Sequence, residues 1–584
     1  MTDPSPSSPT LAIALDAGYR SDDLKTLAAL VSSTRPTRKA DRIDAILDAM
    51  LKNLKGIFDQ LSTMAQHAVS ETVHTWDGVF EMRMFSAKYA DSPWPERKNS
   101  RGSSSGLLNL FLINGHIPRD LCEKLVDIVP KPPAYKTKYL NTLAEDDHFD
   151  EENFTVRETT GAALANLTTL LNLVADKKIR VAAKSKRPTA ATVRNLGELL
   201  HDGDWYPADD GEYDPMQPFA WPLLIQGGKL ARAEGSLLKL TPAGRNALKK
   251  DPAGGIRQIW ERWEKTKIID EFSRVTAVKG QKARRGRTMT TPIRRRPALN
   301  TLLKDLTPGK WIDLDELDRL MQSSAEYAFV MVNYSWKLYL LDQHYGHLDY
   351  YDTWPLLQFR YLLVYLFEYC ATLGLIDVAY QPPEWARTDY RHCWGSDELP
   401  FLSHCDGLKY IRINELGAFV LGHTDTYEEK SESTALFEFE GTDLHLPAGA
   451  QVPPGQALYL EKIAARTEVD RWRLSVTSLL GAISDGENLA DIKTALESLS
   501  SSGFTPEMEQ LFLDVEHRAT AFVDIGKTTL IQCTREFRKQ ALTHKKLNKY
   551  CLPAGDNYLV IRPGKEKQFT KAIESAGFII GGKK

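Results

Sequence analysis

The chain has 584 residues, so at roughly 150 residues per domain we expect several folded units. Its 74 Lys and Arg side chains nearly balance its 77 Asp and Glu side chains, and 42% of its residues are hydrophobic. This composition excludes a chain that is disordered or basic throughout. Any contact with nucleic acid must therefore come from local basic patches.

Cellular location is indicated by three features. Six cysteines without a Cys-x-x-Cys pair argue against a disulfide scaffold. Residues 1–20 lack the basic start and apolar core of a signal peptide and predict a disordered tail. The uncharged stretch 159–175 contains four Thr and two Asn and is too short to span a bilayer. We therefore predict a cytoplasmic protein with no membrane partner.

The N-terminal region is predicted to be helical. Two amphipathic patterns over 21–52 flank a basic, proline-containing break at 34–39. This helical hairpin resembles the SAP motif, a small DNA-binding unit, and the resemblance places Lys39 at the motif's basic position. A hairpin used only for packing explains the same pattern. Helices continue over 53–133.

An acidic segment follows the helices at 134–157. Six of its residues between Glu145 and Glu152 are acidic, and one is histidine. We interpret the segment as a solvated linker. A carboxylate metal site is the alternative, although the order of ligands in a calcium loop is missing.

Residues 158–275 predict helices, a β-hairpin around a glycine turn at 229–240 and a capped helix at 241–248. This is the order found in the latter part of a winged helix. A basic turn at 184–187 precedes a helix start, where exposed N–H groups favour a phosphate. The candidate phosphate ligands are Lys184, Lys186, Arg187 and Arg194. A solvated basic loop is the alternative.

The same order of elements returns at 299–422. Residues 238–244 and 411–417 align position for position, with an apolar, basic, apolar, cap and glycine pattern. We therefore predict an internal duplication of a winged-helix unit. The alternative is that two strand-turn-helix segments share their cap and glycine residues by chance.

Between the two units, the segment 276–298 is predicted to be a basic linker. Its eight cations, with no acid among them, are Lys279, Lys282, Arg284, Arg285, Arg287, Arg294, Arg295 and Arg296. Each phosphate neutralised releases counterions, so these charges predict a salt-sensitive affinity for DNA. A flexible linker that only faces water explains the same composition.

A polar linker at 423–433 leads into residues 434–584, whose pattern predicts a small α+β domain. Its landmarks are Arg473-Leu-Ser475, Gly481, Leu489-Ala-Asp-Ile492, Leu496, Pro506, Leu530-Ile-Gln-Cys533, Val560-Ile-Arg-Pro563 and Gly577-Phe578. With these landmarks the segment resembles the N-terminal domain of XPB-type helicases. That domain occurs in bacterial helicase-associated proteins that also carry winged helices and, sometimes, a SAP-like start. The resemblance implies DNA handling beside a helicase, in repair or in defence against foreign DNA.

Motifs with reactive residues are few. Gly526-Lys-Thr-Thr529 resembles the end of a phosphate-binding loop, but Ala521 stands where an earlier glycine is required, so we predict no ATP site. The pairs His392-Cys393 and His404-Cys405 offer four ligand-capable side chains, but adjacent ligands differ from the usual zinc spacing. We predict no metal, no cofactor and no catalytic residue.

The sequence thus predicts a multidomain, mainly α protein with small β-hairpins in tandem winged helices, and a C-terminal α+β domain. The predicted function is a non-catalytic DNA-binding adaptor or regulator, with the DNA backbone and a helicase or nuclease as partners and no small-molecule substrate. The alternative is a protein-interaction scaffold with apolar anchors at Trp205, Trp221, Trp260, Trp263, Trp336 and Trp354. A zinc-dependent enzyme is the third hypothesis.

Overall fold

The structure is a computed structural model, and it describes residues 9–94, 106–150, 152–207, 213–282, 288–333, 337–428, 437–447, 450, 452, 454–497, 499–500, 503–522 and 527–581. The chain divides into an N-terminal unit, Met1–Lys430 with Pro453–Leu458, and a C-terminal unit, Ser431–Val452 with Tyr459–Lys584. Helices account for about 49% of the described residues and strands for about 12%, which confirms a mainly α protein with small antiparallel sheets. None of the described helices combines the length and the apolar composition of a membrane span.

Six helices at the N-terminus share one hydrophobic core. They are α1 Leu11–Gly18, α2 Ser21–Val31, α3 Lys39–Asp59, α4 Thr63–His74, α5 Met82–Tyr89 and α6 Arg119–Leu125. The predicted tail over 1–20 is wrong from residue 11 onward, because Leu11 and Leu15 of α1 are buried in the same cluster as Leu24. The predicted boundary between 21–52 and 53–133 is also absent, since α3 crosses it within this core.

The acidic segment 134–157 is packed and is not the solvated linker that the sequence predicts. Leu140 and Trp311 exchange two backbone hydrogen bonds of 2.9 Å. Phe149 and Phe154 both pack edge-on against Tyr410. The last residues form strand β1, Thr155–Arg157, which joins a four-stranded sheet. Aromatic residues between the acids therefore anchor the segment.

Two similar runs of elements complete the N-terminal unit. The first contains α7 Thr160–Ala175, α8 Ala190–Leu199, α9 Gln217–Gly227, β2 Ala231–Glu234, β3 Leu237–Leu240, α10 Pro242–Lys250 and α11 Pro252–Trp263. The second contains β4 Val278–Lys279, α12 Arg296–Asp305, β5 Trp311–Asp313, α13 Leu314–Ser323, β6 Tyr339–Leu340, α14 Arg360–Val364 flanked by π-helical turns at Pro355–Phe359 and Tyr365–Cys370, β7 Ile376–Tyr380, β8 Leu408–Ile413 and α15 Glu415–Leu421.

Both runs have the same order: a helix, an extended segment, two helices, a β-hairpin and a capped helix. In each run the extended segment pairs with the second strand of the hairpin. Residues 179–181 lie beside β3, where Leu238 N donates to Ile179 O at 3.0 Å, and β5 pairs with β8. The second sheet has the order β1-β7-β8-β5 and is antiparallel.

Matching contacts after the hairpins support the predicted duplication. Thr241 accepts a hydrogen bond from Gly244 N at 3.1 Å, and Asn414 accepts one from Gly417 N at 2.9 Å. A Cβ added to either glycine would overlap a backbone carbonyl oxygen. The two carbonyls belong to Leu230 and Leu375. The second hairpin is longer because it carries the loop 381–407, which joins β7 to β8.

One continuous core runs through both halves, from Ala163 to Leu421. Described residues of the segment 276–298, predicted as a basic linker, contribute to this core: Val278 and Met289 belong to it, Thr288 and Arg296 are fully buried, and β4 pairs with β6. The predicted separate domains at 158–275 and 299–422 are therefore wrong. The halves are fused because aromatic side chains pack between them, as where Trp263 stacks on Tyr369 with 5.2 Å between ring centroids.

The C-terminal unit contains two small cores instead of the one domain predicted at 434–584. The first is built from β9 Glu438–Glu440, β10 Asp443–His445, residues 459–463 of α16 Pro454–Ile463, β11 Ala464–Glu468, β12 Arg471–Leu474, α17 Val476–Ser484, α18 Leu489–Glu497 and α19 Pro506–Thr520, with strand order β11-β12-β10-β9. The second, residues 527–581, we name the C-terminal module. It contains β13 Leu530–Gln532, α20 Arg535–Thr543, β14 Cys551–Pro553, β15 Tyr558–Ile561 and α21 Glu566–Ser575, with strand order β13-β15-β14. Of the linker predicted at 423–433, residues 429–433 lie outside the described part of the chain.

Candidate nucleic-acid interface

Two of the predicted DNA-binding arginines are buried. Arg295 pairs with Asp270 at 2.5 Å, Arg296 pairs with Glu271 at 2.6 Å, and neither arginine side chain is exposed. A buried charge is costly unless it is paired, so these arginines balance the two carboxylates inside the core. Their assignment to DNA is therefore wrong.

The other cations predicted at the N-terminus and in 279–296 differ in their contacts and exposure. Lys39 pairs with Asp16 at 2.9 Å, and Lys279 donates to the Thr276 carbonyl at 2.7 Å. The exposed members are Lys279, Lys282 and Arg294. Arg284, Arg285 and Arg287 lie outside the described residues. The continuous basic strip that the sequence predicts is thus interrupted by paired and buried members.

The basic turn before α8 presents its cations to solvent. Ala182 is hydrogen-bonded through its backbone to both Lys186 and Arg187, which closes the turn. Thr189 caps α8 by accepting from Thr192 N at 3.3 Å. Lys184 and Arg194 are exposed, and the other two predicted ligands are half-buried. Among the described residues no carboxylate pairs with any of the four. Arg187 donates to the Ser273 hydroxyl at 3.2 Å and lies over the Phe219 ring, so Lys184 and Arg194 are the cations most available to an anion.

In each of the two runs, the helix whose place in the order of elements matches the DNA-inserted helix of a helix-turn-helix protein is buried. In such proteins the second helix of the pair, the recognition helix, enters the major groove. The corresponding helix of the first run is α9, where Trp221, Leu223 and Leu224 are buried. In the second run it is the segment 355–370, which is almost entirely buried. These two helices therefore cannot read bases in the major groove.

The C-terminal module is strongly positive, a property that the sequence prediction missed. Residues 527–581 contain eleven Lys or Arg against four Asp or Glu, a net charge of +7. Of these eleven, Arg535 pairs with Asp556 at 2.6 Å, and the other ten have no carboxylate partner among the described residues. The signal was a local charge imbalance, which the whole-chain charge of −3 conceals.

The topology gathers cations at one end of the module's sheet. At this end β13 and β14 begin and β15 ends. Arg562 N donates to Tyr550 O at 2.8 Å, which joins the end of β15 to the start of β14. Ile561 N donates to Thr529 O at 2.9 Å, which joins β15 to the start of β13. The segments 527–529, 544–550 and 562–566 meet at this end. Their exposed cations, which we name the basic end, are Lys527, Lys545, Lys546, Lys549, Arg562 and Lys565, and their carboxylate is Glu566.

A cleft of about 850 Å³ in the N-terminal unit has mainly acidic walls. Its charged lining residues include Asp315, Asp318, Glu384, Asp389 and Asp406 against Arg387 and Lys409. Burial raises the pKa of Asp318 to about 6. Burial opposes ionisation of Asp315 as well, but Arg387 and Lys409 outweigh it and lower that pKa to about 2. A cleft with such a lining is unfavourable for binding a polyanion such as DNA.

The loop that carries His392, Cys393, His404 and Cys405 is packed through other contacts. Both cysteines are buried, and His404 Nδ1 accepts a hydrogen bond from Asp214 N at 3.0 Å. Burial raises the pKa of the Cys405 thiol, which disfavours the thiolate that zinc requires. Within the described ranges, no three or more His, Cys, Asp or Glu side chains are grouped to hold a metal ion.

A scan against models of known protein families finds no match, and a search of curated proteins finds no significantly similar sequence. The geometry of the described residues is therefore what bears on function.

Proposed function

We propose that this protein is a non-catalytic DNA-binding adaptor or regulator whose C-terminal module holds the phosphate backbone. The observation that carries the proposal is the module's net charge of +7, almost none of it neutralised by ion pairs. Because the whole chain carries −3, the residues outside the module carry −10 and repel a polyanion. Binding is thereby concentrated at the module.

The N-terminal unit supplies a scaffold and a second contact in this proposal. We interpret its two similar runs as winged-helix units, on the basis of their element order and strand pairing. Because α9 and the segment 355–370 are buried, these helices cannot contact DNA. We therefore assign the phosphate contact of this unit to the basic turn at 184–187. Phosphate contacts position a protein without specifying sequence, so we expect little sequence preference.

We further propose that a helicase or nuclease is the protein partner. The support is the resemblance of residues 434–584 to the N-terminal domain of XPB-type helicases. That association implies a role in DNA repair or in defence against foreign DNA. Co-purification of the full chain with the product of a neighbouring helicase or nuclease gene tests the partner separately from DNA binding.

Fluorescence anisotropy with a labelled mixed-sequence duplex, between about 50 and 200 mM salt, tests the DNA-binding proposal. Replacing Lys545, Lys546 and Lys549 by Gln is expected to weaken binding. It is also expected to lower the slope of log affinity against log salt by roughly 2 to 3, since each phosphate contact contributes about 0.9. Absence of duplex binding by the parent chain at low salt would refute the proposal.

A matched control removes the same charge elsewhere. Lys25, Lys124 and Lys131 are also exposed, and their replacement by Gln is expected to change the affinity and the salt slope little. Equal effects of the two triple variants would show that overall charge, rather than the basic end, attracts DNA.

A protein-interaction scaffold is the second candidate, and an exposed aromatic pair favours it. Trp394 and Tyr345 are 51% and 66% exposed, with 5.2 Å between ring centroids. The tryptophans that the sequence suggests as anchors are not available to a partner protein. Trp205, Trp221, Trp260, Trp263 and Trp354 are buried, and Trp336 lies outside the described residues. A scaffold of this kind would show no salt-sensitive binding in the anisotropy experiment.

A further inference from the structure

The sheet of the C-terminal module has one covered face and one open face. Side chains alternate between the two faces along a strand. Leu559 and Ile561 of β15 are buried in one core with Phe569 of α21. Tyr558 and Val560, which alternate with them, therefore lie on the opposite face.

The register of the strands extends this open face across the whole sheet. Leu530 of β13 and Leu552 of β14 both pair with Val560, and Gln532 pairs with Tyr558. The exposed fractions are 58% for Leu530, 40% for Leu552 and 39% for Tyr558. Neighbouring strands are about 4.8 Å apart, so the face is roughly 10 Å wide. It has an apolar centre and one aromatic ring.

The basic end adjoins this face. Arg562 follows β15 directly, and its position alternates in step with Tyr558 and Val560, which places it on the open side. The backbone pairing continues to this residue, since Arg562 N donates to Tyr550 O. At about 3.3 Å per residue, Arg562 lies roughly 13 Å from Tyr558 along the strand. An anionic chain bound at the basic end therefore has an exposed aromatic ring within reach.

We propose that this open face binds an unpaired nucleic-acid strand, with a base stacked on Tyr558 and phosphates on the basic end. The inference rests on the proposed function and names the ligand of its C-terminal module. Binding surfaces for single strands combine cations along the backbone with aromatic rings, because every base offers a flat face for stacking. In a duplex those faces are covered by neighbouring bases, so a duplex gains only the phosphate contacts.

An acidic polypeptide is the competing occupant. It would satisfy the same cations, but it gains nothing specific from an aromatic ring set in an aliphatic face. The unpaired strand uses both features, since its bases are flat and apolar and its backbone is charged. The ring at Tyr558 is therefore the feature that separates the two occupants.

The test compares a labelled oligothymidylate with a duplex of equal length, using the full chain in fluorescence anisotropy. Tyr558→Ala is expected to weaken oligothymidylate binding about tenfold, because one stacked base is lost, and to leave duplex binding unchanged. Tyr558→Phe keeps the ring and is expected to bind like the parent chain. Since the side chain is on the surface, both variants are expected to melt at the parent temperature.

A crosslinking experiment gives a readout that does not depend on affinity. An oligonucleotide with iodouracil in place of thymine is irradiated in complex with the parent chain, and the attached residue is located by mass spectrometry. Crosslinking at Tyr558 is expected. Crosslinks confined to residues outside the module would overturn the inference.

The remaining outcomes separate this inference from the proposed function. Unchanged oligothymidylate binding by Tyr558→Ala overturns the inference, and the proposed function survives if the Lys545, Lys546 and Lys549 variant still loses duplex affinity. If that variant also binds like the parent, both fail. Displacement of the oligothymidylate by polyglutamate, equally in the parent and in Tyr558→Ala, would assign the surface to acidic proteins and overturn the inference.

Discussion

Arg296 Nε donates to Glu271 Oε1 at 2.6 Å, and neither side chain is exposed to solvent. Glu271 accepts two further hydrogen bonds of 3.1 Å, from Trp263 Nε1 and from the Tyr361 hydroxyl. Trp263 ends the first run of elements, and Tyr361 lies on α14 of the second. The ion pair therefore joins the two halves of the N-terminal unit.

Replacing Arg296 by Met is expected to lower the free energy of unfolding by about 3 to 5 kcal/mol, because the Glu271 carboxylate is left buried and unpaired. Adding Glu271→Gln to that variant is expected to recover part of the loss, since the remaining side chain is neutral. Urea denaturation of the parent, both single variants and the double variant gives the coupling energy.

The exposed pair of Lys52 and Asp48, 2.7 Å apart, is the control for this cycle. For exposed pairs we expect a coupling energy below about 1 kcal/mol. If the double variant lost as much free energy of unfolding as the two single variants together, Arg296 and Glu271 would not act as one buried pair.

Charge counting misassigned Arg295 and Arg296 because a run of cations has the same composition whether it faces water or a core. Their partners, Asp270 and Glu271, lie 25 residues earlier in the chain. No local pattern links segments so far apart. The same limit applies to α9, whose burial depends on packing between the two runs.

The matching caps and glycines of the two runs could be predicted because helix caps and glycines are local signals. The structure adds the reason for the glycines, which is a backbone carbonyl that excludes a Cβ. The helix α1 was missed because its apolar face is short and follows a proline-rich start. The basic end was missed because its charge is cancelled elsewhere in the chain.

Alanine at the repeated glycines tests whether Gly244 and Gly417 have the same structural role. Gly417→Ala and Gly244→Ala are each expected to lower the free energy of unfolding by about 1 to 3 kcal/mol, because the new Cβ overlaps a backbone oxygen that cannot move alone. Gly481 in α17 has open space around it, so Gly481→Ala is expected to stabilise the chain by roughly 0.5 to 1 kcal/mol. Thermal melting compares the three, and similar effects at all of them would contradict the special role of the repeated positions.

The basic turn is expected to contribute to duplex affinity separately from the basic end. Lys184→Gln combined with Arg194→Gln should lower the salt slope by roughly 1 to 2. The control is the neighbouring hairpin, where Arg232 and Lys239 both pair with Glu234, at 2.7 and 2.5 Å. Replacing those two by Gln should change the slope less, and a larger effect there would move the second contact from the turn to the hairpin.

The acidic cleft makes a prediction about pH. Burial raises the pKa of Asp318 to about 6, although Trp354 Nε1 and Gln322 Nε2 donate to its carboxyl group at 2.8 and 2.7 Å. The ordinary value of an unfolded chain is about 3.9. Between these two values the folded chain holds a proton that the unfolded chain releases. The contribution of Asp318 to the free energy of unfolding therefore falls as pH rises from about 4 to about 6 and is then constant.

Asp318→Asn removes this dependence, because an amide has no charge to bury. We expect the variant to match the parent near pH 4 and to exceed its free energy of unfolding by roughly 1 to 3 kcal/mol near pH 7.5. Asp315→Asn is the control of opposite sign: the lowered pKa of Asp315 means that its carboxylate stabilises the fold above about pH 4 and loses that effect on acidification toward pH 2. Urea denaturation near pH 4 and pH 7.5 measures the difference at Asp318, and a further measurement near pH 2 shows whether the effect of Asp315 is lost. A gain at Asp318→Asn that is equal at the two pH values would show that packing, rather than ionisation, limits stability at this position.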